Sequence, residues 1–242
     1  MKANSTTIFL TAEWRYLAML NYEVDPATLA SFIPPGTELG FWNGKTFVSL
    51  VGFLFQRTRV CGIPIPFHRN FEEVNLRLYV RRKADDGWRR GVVFIKELVP
   101  RMAIAFVARK FYNENYRALP MSHKIEKSRE EIKSVSYFWR FGGKENHMKV
   151  ITRGTAQLLV EGSEQEFITE HYWGYTTQRD GSTLEYRVEH PRWRVWETQA
   201  AELYCDATKL YGEKFRDYLS RAPSSAFLAD GSDVKVYKGV KL

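Results

Sequence analysis

Glu73, Asn75 and Arg77 alternate with apolar residues in one short segment, so that an acid, an amide and a base share one side. Strict alternation over this length is typical of a β-strand with one buried face, here formed by Val74, Leu76, Leu78 and Val80. A carboxylate can transfer protons and a guanidinium can bind an anion. The polar side, which Tyr79 continues, is therefore either a solvated surface or the lining of a site.

Lys96 lies in the apolar segment that follows, VVFIKEL, after a turn at Asp85-Asp86-Gly87. An even-numbered loop would place Lys96 on the side of Asn75 and Arg77, whereas an odd loop or a bulge would reverse it. Burial lowers the pKa of a lysine, as a Schiff-base nucleophile requires. The alternative is a lysine whose stem crosses apolar surface while its amine reaches water.

His190 and Trp193 flank a proline in the segment EHPRW. An imidazole beside an indole can act as a general acid–base next to a stacking wall. The alternative, a structural histidine and a core tryptophan, is the more common role for such residues. Arg109, Tyr116 and Arg117 are further ligand-binding candidates, because arginine pairs well with carboxylate or phosphate.

Motifs for metals and cofactors are missing from the sequence. The five histidines are dispersed, and neither nucleotide-binding glycine loops nor a GxSxG or HExxH motif occurs. We therefore expect no bound metal and no cofactor.

Elements that would position these residues are mostly strands. Strands are expected near residues 8–24, 38–42, 46–57, 70–84, 87–98, 123–127, 135–140, 149–160, 172–177, 183–189 and 234–237, with a hairpin turn at Asn43-Gly44. Helices are expected after Asp25-Pro26, over 102–112, from the capping-box spacing Ser163-x-x-Glu166, and near 207–219. Without repeats or linkers, residues 1–242 are read as a single mainly β (α+β) domain.

Composition limits the setting. Two cysteines give a poor disulfide framework, so a reducing cytoplasm is expected, and no segment is long enough for a membrane helix. The net charge of +8 suggests an anionic partner, but its densest cluster reads as a solvated hairpin end. We expect neither nucleic-acid nor membrane binding, and leave a homo-oligomer open.

Several segments together resemble the YqjF-like family of bacterial proteins, a domain of unknown function related in fold to acetoacetate decarboxylase. The resemblance covers nearly the whole chain and rests on VDPATLASFIPPGTEL, NGKTFVSLVGF, FEEVNLRLYV, GVVFIKEL, ARKFYNENYRALPM, FITEHYWGYT and YRVEHPRW. It implies a cone-shaped, mostly antiparallel β-barrel with a few short helices and a ligand cavity.

The resemblance also bears on chemistry. The active-site glutamate of the decarboxylases aligns with Glu73, whereas their adjacent lysine pair has no counterpart near Asn115–Ala118, where Arg117 stands. Their ligand-clamping arginine falls at Glu23. We therefore expect a cavity that keeps the acid but lacks the pair of lysines needed for Schiff-base chemistry.

Three functions follow from these observations. The first is an enzyme acting on a small, anionic organic molecule, with Glu73 and His190 as catalytic residues and Asn75, Lys96, Arg109, Tyr116, Arg117 and Trp193 as ligand contacts. The second is a non-catalytic binding or sensing protein that uses the same cavity. The third is a nucleic-acid binder that uses a basic surface. The sequence does not decide whether the protein is an enzyme.

Overall fold

The computed structural model describes residues 7–101, 115–129 and 131–242. Its strands are β1 Ile8–Glu23, β2 Glu38–Leu39, β3 Phe47–Val60, β4 Ile63–Pro64, β5 Phe71–Ala84, β6 Gly87–Val99, β7 Tyr116–Ala118, β8 Met121–Ser128, β9 Glu131–Phe141, β10 Lys144–Leu158, β11 Trp173–Thr177, β12 Thr183–Glu189, β13 Arg194–Tyr204, β14 Ser225–Tyr237 and β15 Val240–Lys241. Its helices are α1 Pro26–Leu29 with a following 3₁₀ turn Ala30–Phe32, α2 Glu164–Thr169, α3 Ala207–Tyr211 and α4 Glu213–Leu219. The prediction of a mainly β fold with a few short helices is confirmed.

Seven of these strands close into a ring in the order β12, β11, β6, β5, β3, β1, β14. The ring closes where β14 pairs with β12, at Val188 opposite Val236 and Glu189 opposite Lys235. Pairing within the ring is antiparallel except between β11 and β6. Closure removes the free sheet edges from this part of the molecule and encloses an interior.

A second layer continues from the ring through β13, β10, β9 and β8. It covers one outer side of the ring, where Tyr137 and Met148 pack with Leu20, Leu50 and other ring residues in one hydrophobic cluster. A separate cluster, which includes Met19, Val51 and Phe227, lies inside the ring. Residues that alternate along β1 and β3 therefore serve two cores, an outer and an inner one.

Helix boundaries follow the capping signals in the sequence. The Asp25 carboxylate accepts a hydrogen bond from the Ala27 amide at 2.7 Å, and the Ser163 hydroxyl accepts one from the Glu166 amide at 3.2 Å. The predicted helix near 207–219 is two helices, since Gly212 with φ of 100° ends α3. The helix predicted over 102–112 lies outside the described residues.

The hairpin of β5 and β6 carries the residues with which the sequence analysis began. Its two-residue loop, Asp85-Asp86, is even-numbered, and Arg77 lies opposite Phe94 as that loop requires. A β-bulge follows at Ile95, so that Leu76 lies opposite Lys96 and Asn75 opposite Glu97. The side chain of Asn115 donates a hydrogen bond to the Ile95 carbonyl at 3.0 Å, which satisfies a group that the ladder leaves out. The bulge reverses the faces of the last residues of β6.

Two features of the described residues bear on the setting. No helix in the described ranges is long and apolar enough to cross a membrane. Cys61 and Cys205 are both free thiols, so the two cysteines do not form a disulfide.

Gly231, in β14, fits tightly against β1. Its φ is +80°, and a Cβ atom there would lie 2.0 Å from the carbonyl oxygen of Trp14. Because both the backbone conformation and the space disfavour a side chain, we expect Gly231→Ala to lower the free energy of unfolding by about 2–4 kcal/mol. Urea unfolding followed by tryptophan fluorescence would measure the loss.

Gly181 offers a matched control for that substitution. It has the same φ of +80°, but nothing lies within 4 Å of its missing Cβ. We expect Gly181→Ala to cost only the backbone strain, about 1 kcal/mol. Equal losses in the two variants would show that contact with Trp14 contributes nothing.

Candidate active site

A cavity of about 220 Å³ lies within the ring. Most of its surface is apolar and aromatic, and includes Phe53, Phe55, Phe71, Phe94, Trp14, Trp173, Trp193, Val51, Val92 and Val188. Its polar residues include Glu73, Asn75, Arg77, Glu97, Tyr116, Thr169, His171 and His190. A mainly apolar cavity with a few convergent polar groups is typical of a small-molecule site.

The alternating face of β5 lines this cavity and is not a solvated surface. The side chains of Glu73, Asn75 and Arg77 are all buried, and Glu73 is 2% exposed. Asn75 Nδ2 donates a hydrogen bond to Glu73 Oε1 at 2.9 Å, and the Tyr116 hydroxyl donates one to Glu73 Oε2 at 3.3 Å. The Glu73 carboxylate is thus held in a defined orientation beside the cavity.

Arg77 brings a buried positive charge to the same wall. One terminal nitrogen, Nη2, donates to the carbonyl of Ile168 at 3.2 Å, at the end of α2. The guanidinium carbon lies 5.6 Å from the centre of the Tyr79 ring. Arg77 Nε is buried and makes no hydrogen bond within the described part of the chain. A buried cation with an unused donor is suited to an anionic ligand.

Glu97 takes the position in the cavity that uninterrupted alternation along β6 would give to Lys96. The bulge at Ile95 turns Glu97 toward the cavity opposite Asn75, and its side chain is 1% exposed. Lys96 lies opposite Leu76, on the other face, and is not among the residues lining the cavity. Partial burial lowers the pKa of Lys96, and the charge of Arg117 lowers it further. The bulge is the case in which the sequence analysis expected the placement to reverse, so Lys96 is not the ligand contact that the even-numbered loop alone would make it.

His171 was not identified from the sequence. It follows α2 directly, lines the cavity and is 7% exposed, with its ring centre 4.7 Å from that of Tyr79. Burial holds the pKa of His171 well below its usual value, and the charges of Arg90 and Arg77 act in the same direction. The imidazole is therefore neutral at neutral pH. Neither ring nitrogen forms a well-aligned hydrogen bond with a described residue, although a backbone contact with Phe167 partly opposes the lowering of the pKa.

His190 and Trp193 lie together at the cavity, as their spacing suggested. Their rings stack with centres 4.2 Å apart, and the carbonyl of Pro191 lies 2.9 Å from His190 Nδ1. Burial lowers the pKa of His190. The Trp193 indole donates to the hydroxyl of Ser232 at 2.9 Å, which fixes the ring against the wall. The pair forms a rigid aromatic side of the cavity.

The three remaining predicted ligand contacts have different outcomes. Tyr116 lines the cavity, where β7 runs parallel to β6 with Tyr116 next to Glu97. Arg117 is exposed, and its guanidinium lies 4.4 Å from the centre of the Phe141 ring on the outer side. Arg117 is therefore not a cavity residue, because neighbouring residues of a strand point to opposite faces. Arg109 lies outside the described residues.

Side chains that ligate metals do not cluster within the described ranges. Groups of three or more His, Cys, Asp or Glu side chains that could hold a metal ion do not occur there. The chemistry that the described cavity residues can supply is proton transfer by carboxylate, phenol or neutral imidazole, together with binding of negative charge by Arg77.

Most of the chain matches one family of uncharacterized proteins. The profile of the DUF2071 family, described as an uncharacterized conserved protein, matches residues 11–233. The uncharacterized protein YqjF of Bacillus subtilis is 30% identical over 192 residues, which cover 78% of this chain and 74% of YqjF.

Solved structures show the same fold at low sequence identity. The enduracididine biosynthesis enzyme MppR with HEPES bound matches with a TM-score of 0.71 at 13% identity, over 100% of this chain and 90% of MppR. MppR complexed with pyruvate gives 0.69 at 13% identity, over 99% and 92% of the two chains. Acetoacetate decarboxylase of Legionella pneumophila gives 0.66 at 14% identity, over 100% and 92%. The fold is acetoacetate decarboxylase-like.

Proposed function

Because this chain belongs to the DUF2071 family and has an acetoacetate decarboxylase-like fold, we propose that its cavity binds a small organic acid and transfers a proton to or from it. The observation that carries the proposal is the buried polar face of β5. Glu73, Asn75 and Arg77 line the cavity side by side, with Arg77 as the cation for a carboxylate and Glu73 as the acid–base. The apolar walls would hold the rest of the molecule.

The solved relatives support this class of ligand. One MppR structure contains pyruvate, and acetoacetate decarboxylase is named for an organic acid. The proposed chemistry for this chain uses Glu73, hydrogen-bonded by Asn75 and Tyr116. Both donors stabilise the carboxylate in place, and the Tyr116 hydroxyl could also relay a proton. On binding, the carboxylate of the ligand would form a charge-assisted hydrogen bond with Arg77.

Arg77→Gln tests the binding half of the proposal. Removing the buried cation should weaken binding of a carboxylic acid by about 10- to 100-fold, since a hydrogen bond to a charged group is worth about 1.5–3 kcal/mol. Calorimetric titration with 3-phenylpropanoate and with its uncharged amide would measure the effect. The wild type should prefer the acid, and the Arg77→Gln variant should lose that preference.

Arg81→Gln is the matched control. Arg81 lies on the same strand but is exposed, where it pairs with Glu38 at 2.7 Å. Its loss should leave binding of the acid unchanged. The binding proposal fails if the wild type binds the amide as tightly as the acid, or if the two variants behave alike.

A further inference from the structure

Two buried side chains at the cavity keep polar atoms that no described residue satisfies. These atoms are Asn75 Oδ1 and Arg77 Nε. The two residues are 2% and 9% exposed, respectively. Buried polar groups are nearly always hydrogen-bonded, and each one left without a partner costs free energy. A ligand that fits this cavity should supply the missing partners, so their chemistry describes the ligand.

The free acceptor of Asn75 requires a hydrogen-bond donor from the ligand. Its Nδ2 donates to Glu73 Oε1 at 2.9 Å, and because a carboxylate oxygen is an acceptor, this contact settles which end of the amide is which. The atom left over is therefore the carbonyl oxygen Oδ1, an acceptor with no partner in the described ranges. The carboxylate of an acid cannot fill this role, because it carries only acceptors when ionised.

Arg77 requires the opposite group. It is the next residue on the same face of β5, about 6.6 Å from Asn75 along the strand. Its Nε is a donor, and its Nη2 already donates to the carbonyl of Ile168 at the end of α2. An acceptor with negative charge is the group that satisfies Arg77.

Resting on the function proposed above, we propose that the ligand is a carboxylic acid that carries an O–H or N–H donor on the carbon next to its carboxylate, on an apolar or aromatic body. The carboxylate would meet Arg77, and the neighbouring donor would meet Asn75 Oδ1. This neighbouring group lies beside Glu73, where a proton could be exchanged. Both 2-hydroxy acids and 2-amino acids have this arrangement, and the body would lie against Trp193, Phe94 and the other aromatic walls.

Four compounds with one skeleton test the proposal by calorimetric titration of the wild-type protein. They are 3-phenylpropanoate, 3-phenyllactate, phenylalanine and 3-phenylpropane-1,2-diol. We expect phenyllactate or phenylalanine to bind at least about tenfold more tightly than phenylpropanoate, because a buried acceptor gains its partner. Which of the two binds more tightly identifies the donor as hydroxyl or ammonium. The diol, which lacks the carboxylate, should bind weakly.

Asn75→Leu provides the second measurement. This variant should lose the preference for phenyllactate or phenylalanine over phenylpropanoate, and circular dichroism should show that its fold is kept. A preference that survives the substitution would remove Asn75 as the partner of the neighbouring donor. If the wild type binds the unsubstituted acid as tightly as both substituted acids, the neighbouring donor is ruled out while the organic-acid proposal stands. If the diol binds as tightly as the acids, or if none of the four binds, the organic-acid proposal itself fails.

Discussion

Glu73→Gln should lower turnover of a bound organic acid by about 10²- to 10⁴-fold, while binding of that acid changes little. The amide keeps the shape of the side chain beside Asn75 and Tyr116, with one of its two ends now a hydrogen-bond donor. It cannot accept a proton as a carboxylate does. Incubation of the wild type with 2-hydroxy, 2-amino and 2-oxo acids in D₂O, followed by NMR, would reveal a new product or deuterium at carbon. The same spectra of the variant would then give the loss.

Glu72→Gln is the matched control, because the same change is made one residue away on the opposite face. Glu72 pairs with His123, with 2.6 Å between Oε1 and Nδ1, and does not line the cavity. Its loss should leave turnover intact. Equal turnover by wild type and Glu73→Gln would remove Glu73 from the chemistry. Tight binding of an acid without any turnover by the wild type would favour the non-catalytic binding protein instead.

Glu185→Ala should lower the free energy of unfolding by about 3–5 kcal/mol. The Glu185 side chain is 4% exposed and is held between Arg82, at 3.1 Å, and Arg89, at 2.5 Å. Removing the carboxylate leaves two guanidinium groups close together in a largely buried place. Arg89 also lies 4.2 Å from the centre of the Trp173 ring, which lines the cavity, so the loss should loosen that wall. Chemical denaturation would measure the change.

Glu38→Ala removes an acid from an exposed pair for comparison. Glu38 is 52% exposed at its side chain and pairs with Arg81 on the neighbouring strand at 2.7 Å. Exposed ion pairs contribute little, so the loss should stay within about 1 kcal/mol. Similar values for the two variants would mean that the buried pair is no stronger than a surface pair.

The part of the site that can be predicted from the sequence follows from the two-residue alternation of side chains along a β-strand. Alternation alone placed Glu73, Asn75 and Arg77 on one face, and the resemblance of FEEV to an active-site segment favoured the inside of a barrel. Burial of this polar face depends on ring closure between β12 and β14, a contact between segments far apart in the sequence. Such pairing leaves no signal in the local pattern of residues.

What could not be predicted arises from local exceptions and from tertiary neighbours. The bulge at Ile95 is joined by a hydrogen bond from Asn115, twenty positions later. It places Glu97, and not Lys96, at the cavity. His171 lies in an irregular segment after α2, where side-chain direction follows no period. Its burial beside Tyr79 and Phe167 is the only signal, and that signal exists only in the folded chain.

The bulge at Ile95 also has an evolutionary meaning. Glu97 and Lys96 are adjacent, one facing inward and the other outward, and regular pairing of the same residues without the bulge would present them the other way round. A substitution that straightens the strand at Ile95 would therefore exchange a carboxylate for an amine at the same point in the cavity, whereas deletion of Ile95 would leave Glu97 facing inward. A lineage could move between acid–base and amine chemistry through the loss of this bulge, without altering Lys96 or Glu97 themselves.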